Sequence, residues 1–295
     1  MTLSQLEIFI LVAQHRSFTL TAKQLGISQS AVSHALKNLE SEWKVVLFSR
    51  QQPHIELSDI GENLLQHAKQ LIHIAQVMQQ EAAAAHGLHQ GRLKIGSFGS
   101  SASIHLLPEI LQEYRQRYPQ IEIFVEEGTD EHIAQLIQHK SVDVGFAVLP
   151  RPELDTFPLI QDIFVALIPR SYAIAAQREV RLADLAKHPF ILTRAGSQTH
   201  VELLFKLHQI EPKIKYRLSQ LLTILNMVNM QEGVSIVADM AMTPELLALH
   251  PHVVKRPLMP NTQRHIGLAV ANQRYMSPAT KAFIDLAQEM FYFPN

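Results

Sequence analysis

Cysteine is absent from all 295 residues. That one absence removes disulfides, thiolate nucleophiles, Cys-based zinc sites, iron–sulfur clusters and thiol redox switching. Net charge is nearly absent too: 26 Lys and Arg stand against 27 Asp and Glu, a formal charge of −1. Nucleic-acid-binding domains usually show as basic, so the sum gives no hint of one. No uninterrupted apolar run approaches the ~20 residues that cross a bilayer. The start Met1-Thr2-Leu3-Ser4-Gln5-Leu6-Glu7 lacks a basic n-region, and the apolar stretch after it is too short for an export signal. The expectation is a soluble, cytoplasmic chain with no membrane partner. Missing as well are Gly-x-Gly-x-x-Gly, the Gly-Lys-Ser/Thr phosphate loop, His-Glu-x-x-His and Gly-x-Ser-x-Gly, so no enzyme class is indicated.

What is present is globular: 47% hydrophobic and 18% charged residues, over a length that suggests two or three domains at ~100–200 residues each. Leu3, Leu6, Phe9, Ile10 and Ala13 recur at helical spacing, with Thr2 or Ser4 available as cap. Leu20, Ala22 and Leu25 predict a second short helix, and Gly26 suits a left-handed residue after its end. Ser28 suits the N-cap of a third, which carries Val32, Leu36, Leu39 and Trp43 on one side. Two short helices around a glycine-containing turn form a helix-turn-helix. The exposed face of the third offers Gln29, Ser30, Ser33, His34 and Lys37. Gln pairs with adenine, Ser with bases or phosphate, and Lys with guanine or phosphate. A solvated face on an ordinary helical bundle fits the spacing equally well.

The run Leu3-Ser4-Gln5-Leu6-Glu7-Ile8-Phe9, then Ser17-Phe18-Thr19, Ala22, Leu25, Ser28-Gln29-Ser30-Ala31-Val32-Ser33, Leu39-Glu40, Leu47-Phe48-Ser49-Arg50 and Leu57-Ser58-Asp59-Ile60-Gly61 closely resembles the LysR-type transcriptional regulators. The resemblance implies a winged helix-turn-helix over residues 1–58, with Ser28, Gln29, Ser30, Ser33, His34 and Lys37 at the groove. It implies that Arg50 anchors the wing (about 50–57) at phosphate. Trp43 and Lys44 depart from the family, which has Leu and then Gly there. Trp43 reads as a core ring. Lys44 replaces a residue that often needs positive φ, so the recognition helix either runs on, ends under strain, or gains a phosphate contact.

Residues 1–90 hold six Lys and Arg against seven acids, so even this part is not basic on average. That predicts weak non-specific affinity for each protomer, offset by binding as an oligomer. Gly61, Leu64, Ala68, Leu71, Ala75, Met78, Ala82 and Ala85 repeat at steps of three and four, an a/d seam that predicts a dimerising linker helix over 58–86. Residues 59–91 are thus linker and hinge. His86 and His89 in that hinge lack the companions a zinc site needs, and neither metal nor cofactor is implied.

Residues 92–295 alternate strands and helices, which argues for α/β with mostly parallel sheets. The resemblance implies a two-lobed, periplasmic-binding-protein-like effector domain crossed twice, near 162–164 and 266–271. Lobe I then holds 92–162 and 268–295, and lobe II 163–267. Ligands in such sheets sit beyond the carboxyl ends of strands. Gly96-Ser97-Phe98-Gly99-Ser100-Ser101, Gly128-Thr129 and Thr193-Arg194-Ala195-Gly196-Ser197-Gln198-Thr199 follow predicted strands. By the same resemblance the candidate effector residues are Ser100, Ser101, Thr129, Ser197, Gln198 and Thr199, with Ser97 and Thr193 behind them. Arg194 suits an effector carboxylate, whereas Glu126, Glu127, Asp130 and Glu131 suit an amine or a solvated turn.

Together these imply a DNA-binding transcriptional regulator, not an enzyme. Its expected partners are double-stranded promoter DNA, a small-molecule effector, its own copies (a dimer through the linker helix, then a tetramer) and RNA polymerase. A solute-binding protein, or an enzyme using the same cleft, is the alternative.

Overall fold

The structure, a computed structural model, describes residues 1–49, 55–84, 90–194, 198–260 and 262–291. The chain forms two compact units, residues 1–86 with 139–141 and residues 87–138 with 142–295.

The first unit contains helices α1 (Leu3–His15), α2 (Phe18–Leu25) and α3 (Gln29–Trp43), strands β1 (Phe48–Ser49) and β2 (Glu56–Leu57), and helix α4 (Asp59–Ala84). Each short helix begins at a hydroxyl. The Thr2 hydroxyl accepts from the Gln5 N–H while the Gln5 side chain accepts from the Thr2 N–H, a reciprocal cap. Ser17 and Ser28 accept from Leu20 and Ala31. Gly26 closes α2 at φ 66°, as expected. Leu6, Phe9, Val12, Val32, Leu36, Leu39 and Leu47 are buried together, and half-buried Trp43 packs on them. The rings of Phe9 and Phe48 meet edge-on at 5.6 Å.

Lys44 answers the question left open at the end of α3. The helix stops at Trp43, and Lys44 turns left-handed at φ 57°, its N–H bonded to the Glu40 carbonyl. Without glycine that conformation costs about 1–2 kcal/mol. β1 pairs antiparallel with β2, Phe48 opposite Leu57, and residues 50–54 between them, Arg50 included, lie outside the described ones. Gly61 is required by a close approach: a Cβ there would meet the Leu47 carbonyl oxygen at 2.2 Å.

The expected α4 seam does not stay on one free face. Leu64, Leu65, Ala68 and Ile72 pack on the helix-turn-helix core, whereas Leu71 and Met78 are exposed, at 43% and 64%. Leu71 precedes Ile72 in the chain, so the core-packed and exposed apolar positions lie side by side on the helix.

The second unit begins with β3 (Gly91–Phe98), α5 (Gly99–Ser101), a π-helical turn (Ala102–Leu106) and α6 (Leu107–Arg117). Then come β4 (Ile121–Gly128), α7 (Asp130–Gln138), β5 (Val144–Leu149), β6 (Asp155–Pro169), β7 (Val180–Arg181) and α8 (Leu182–Leu185). Next are β8 (Pro189–Thr193), α9 (Gln198–Leu207), β9 (Lys213–Leu218) and α10 (Leu221–Asn229). The unit ends with β10 (Val234–Ala238), α11 (Pro244–Ala248), β11 (Val253–Met259), β12 (Gln263–Val270) and α12 (Pro278–Met290). The strand order is β4-β3-β5-β12-β6-β10-β8-β9, with β11 on β6 and β7.

The sheet is mixed rather than mostly parallel. β3 pairs parallel with β4 and β5, and β8 with β9 and β10, but β6 and β12 run antiparallel to their partners. β6 explains this: residues 155–163 pair with β12, and Phe164 onward pairs with β10 and β11. It runs from one half of the sheet into the other. The return comes earlier than the expected 266–271. Gln263 already faces Ile163, the Thr262 carbonyl accepts from the Phe164 N–H, and residues 265–269 pair with β5 inside lobe I. Lobe II thus closes near residue 262 rather than 267. One core fills lobe I, and two cover the faces of lobe II's sheet.

Candidate DNA-reading face and effector cleft

α3 buries Val32, Leu36 and Leu39 and leaves Ser28, Gln29, Ser30, His34 and Lys37 exposed, with Ser33 half-buried. Two of these are held by neighbours. Ser30 Oγ lies 2.8 Å from Ser28 Oγ, and Asn38 Nδ2 lies 3.2 Å from His34 Nδ1. Among the described residues the Gln29 and Lys37 side chains have no partner. The first turn of α3 carries no acid, which leaves its positive end open to a phosphate.

In the second unit β3, β4, β5, β8 and β9 all deliver their carboxyl ends to one cleft between the lobes. The larger compartment, about 620 Å³, has Gly99, Ser103, Ile104, Glu127 and Thr129 on lobe I and Arg194, Ser219, Leu222 and Leu246 on lobe II. A smaller one, about 360 Å³, adds Asp130, Glu131, Arg151, Gln198, Thr199 and His200, and shares Thr129 and Arg194. Such volumes suit a small-molecule ligand.

Asp130 is buried, its Oδ1 accepting from the Val148 N–H and its Oδ2 accepting at 2.6 Å from Arg151 Nη2. Glu131 and Glu153 also pair with Arg151. Two members of the acidic cluster are therefore spent on Arg151. Where β6 and β12 cross, Arg264 donates to Asp162 Oδ2 from Nε at 3.0 Å and Nη2 at 2.7 Å, and to Ser101 Oγ at 2.7 Å. Asp162 Oδ1 accepts from the N–H groups of Ile163 and Met240. Both side chains are 2% exposed. Burial pulls the Arg264 pKa down, and Asp162 opposes that pull. Phe164 lies between Arg264 and His200, with centroid distances of 5.3 and 6.4 Å. Burial lowers the His200 pKa, Arg264 and Arg151 push the same way, and Asp130 opposes them.

Of the expected effector residues, Thr129, Gln198 and Thr199 line the cleft, and Arg194 lines both compartments. Thr129 also caps α7, accepting from the His132 N–H. Three do not reach it. Ser97 is buried against Ser103 at 2.8 Å, Ser101 is buried against Arg264, and Thr193 is buried at the end of β8. Both faces of β3 and β8 are buried at their carboxyl ends, so Ser97 and Thr193 are covered whichever way the strand turns them. Ser197 and the Ser100 side chain lie outside the described residues, as do His86 and His89. Arg151, Ser219 and His200 were missed, although the first two come just after strands β5 and β9 as Thr129 comes after β4. No group of three metal-ligating side chains gathers among the described residues, and no helix there is long and apolar enough to cross a membrane.

Comparison with known proteins agrees with both halves. The family described as "Bacterial regulatory helix-turn-helix protein, lysR family" matches residues 3–62, and "LysR substrate binding domain" matches residues 86–291. The chain is 30% identical to the uncharacterized HTH-type transcriptional regulator YvbU of Bacillus subtilis, covering 99% of each. Its fold is similar to a full-length OxyR variant from Pseudomonas aeruginosa (TM-score 0.74, 23% identity, 98% and 95% covered). It is also similar to full-length CbnR complexed with its target DNA (TM-score 0.64, 22% identity, 98% and 99% covered). The solute-binding and enzyme alternatives find no support in these matches. With a winged helix-turn-helix ahead of a two-lobed α/β effector domain, the chain belongs to the LysR family of transcriptional regulators.

Proposed function

We propose that residues 1–58 read promoter DNA, residues 59–91 join copies of the chain, and residues 92–295 sense a small effector. The observation that carries the DNA reading is the capped start of α3, with Gln29 and Lys37 presented free beside an acid-free N-terminal turn. Gln29 and Ser33 read bases, Ser28, Ser30 and His34 line the groove, and Lys37 and Arg50 hold phosphate. The CbnR relative is described in complex with target DNA, which supports the same assignment here.

Leu71 and Met78, exposed on α4, support pairing with a second copy. The low basic charge supports a tetramer over a dimer, since several reading heads then share one site. Effector contacts come from Thr129, Arg194, Gln198, Thr199 and His200. A ligand that binds one cleft geometry better shifts lobe closure or subunit arrangement, and with it half-site spacing or DNA bending. Bound in the cytoplasm at a promoter, such an assembly stands where RNA polymerase loads. A gel shift on the DNA flanking its own gene tests the reading. A salt-sensitive, sequence-specific shift is expected, and a folded oligomer that gives none refutes it.

A further inference from the structure

Most charge around the cleft is already matched. Arg151 is held by Asp130, Glu131 and Glu153, and Arg264 by Asp162 below the floor. Two charges on the wall of the larger compartment are not matched. Glu127 and Arg194 both line it, and among the described residues neither side chain has an ion pair or hydrogen bond. They stand on opposite lobes, Glu127 near the end of β4 and Arg194 directly after β8.

Each has a consistent neighbourhood. Beside Arg194 the wall carries Ser219 and the start of α10, a helix of nine residues whose N-cap Gln220 makes no capping bond. Its first N–H groups and positive end therefore face the same space. Around Glu127 the lobe I wall is uncharged: Gly99, Ser103, Ile104, Gly128 and Thr129. The wall of the same compartment carries Ile104, Leu222 and Leu246. Ile104 and Leu222 are 54% and 58% exposed, apolar surface that a ligand would cover.

We propose that the effector is a zwitterion with an apolar body, in the class of apolar amino acids and short apolar peptides. Its carboxylate meets Arg194, Ser219 and the start of α10, its ammonium meets Glu127, and its body covers Ile104, Leu222 and Leu246. This rests on the cleft being the effector site. A zwitterion supplies a counter-charge to each lobe, so closing around it strands neither. A dicarboxylate meets Glu127 with like charge, and a simple amine leaves Arg194 unpaired. Touching both lobes, the ligand binds the closed cleft better than the open one.

The test titrates the full-length protein by calorimetry and thermal shift with leucine, phenylalanine and the dipeptide Leu-Leu. Two deaminated analogues, 4-methylpentanoate and 3-phenylpropanoate, and the amine phenethylamine complete the panel. At least one zwitterion should bind about 10- to 100-fold tighter than its deaminated analogue, the range expected for one charge-assisted contact. Glu127→Gln should close that gap, and Arg194→Gln should weaken every carboxylate. Both side chains are exposed, so circular dichroism should find the variants folded. Ile104→Trp, which places a bulky ring where the ligand's apolar body would lie, should weaken or block binding. A carboxylate that Ile104→Trp weakens or blocks, yet that binds equally with and without its amine, refutes the zwitterion and leaves the cleft standing. Binding untouched by Ile104→Trp refutes the cleft as well. No binding by any member of the panel refutes the proposal.

Discussion

Removing the Asp162 carboxylate should be the most damaging single change in the second unit. Asp162 and Arg264 are 2% exposed, and the carboxylate serves four donors: two from the guanidinium and the N–H groups of Ile163 and Met240. Asp162→Ala leaves a buried cation without its carboxylate and two N–H groups without their acceptor. Breaking one side of a buried pair costs about 3–5 kcal/mol. In a domain of 150–250 residues, where 1 kcal/mol moves the midpoint by about 2–4 °C, this lowers melting by about 6–20 °C. Thermal unfolding followed by circular dichroism on the full chain checks it, with Glu289→Gln as the control. Glu289 meets Arg117 on the open surface, and its loss should leave the melting temperature essentially unchanged. The double variant Asp162→Leu with Arg264→Met removes both charges and should recover the part of the loss that comes from the unpaired cation. What remains is the desolvation of two N–H groups, about 1–3 kcal/mol each. A midpoint for Asp162→Ala no lower than the control's, or a double variant as damaged as the single, refutes the reasoning.

Lys44→Gly should stabilise the first unit by about 0.5–1 kcal/mol, the left-handed strain less glycine's extra chain entropy. Denaturant unfolding reads it, and a loss of stability would mean the Lys44 side chain matters more than its backbone. Gln29→Ala should relax specificity at one base position by about 1–3 kcal/mol, while Lys37→Ala should weaken all sequences alike and lower the salt slope by about one. Fluorescence anisotropy on specific and scrambled duplexes separates the two, and equal loss on both from Gln29→Ala makes it a backbone contact. His200, ordinarily near 6.5, is lowered by burial and by Arg264 and Arg151. The unfolded chain therefore takes up the proton first, and the stability is present above about pH 6.5 and lost as pH falls below it. His200→Gln should flatten the fall in melting temperature between pH 7.5 and 5.5, and an unchanged slope places the titration elsewhere.

The first unit was legible almost residue by residue because local rules set it. Thr2, Ser17 and Ser28 cap α1, α2 and α3, Gly26 turns left-handed, and the apolar stripe buries as spaced. At Lys44 the sequence marked the departure but left the outcome open, and the left-handed turn at φ 57° is visible only in the structure. The second unit was legible in its elements and less so in its joints. The start of β6 was hidden by prolines: Pro158 lies within the strand, opposite Gly267 beside a register shift, where its missing N–H is tolerated. Residues 155–158 open the strand that runs from one lobe into the other.

The effector site shows the same division between what is local and what is not. Which strand ends face the cleft came from the α/β rule, and Thr129, Arg194, Gln198 and Thr199 came with it. Which hydroxyl at a strand end is covered did not, because both faces of β3 and β8 are buried at their ends and take Ser97 and Thr193 with them. Nor did the partners of each charge, for Asp130 with Arg151 and Asp162 with Arg264 are 21 and 102 residues apart. A net charge of −1 says nothing about such matching. What distinguishes Glu127 and Arg194 is that the fold pairs off the charges around them and leaves these two facing one cavity. Chemical selectivity in this cleft is thus a property of the remainder after long-range pairing, and only a folded chain displays that remainder.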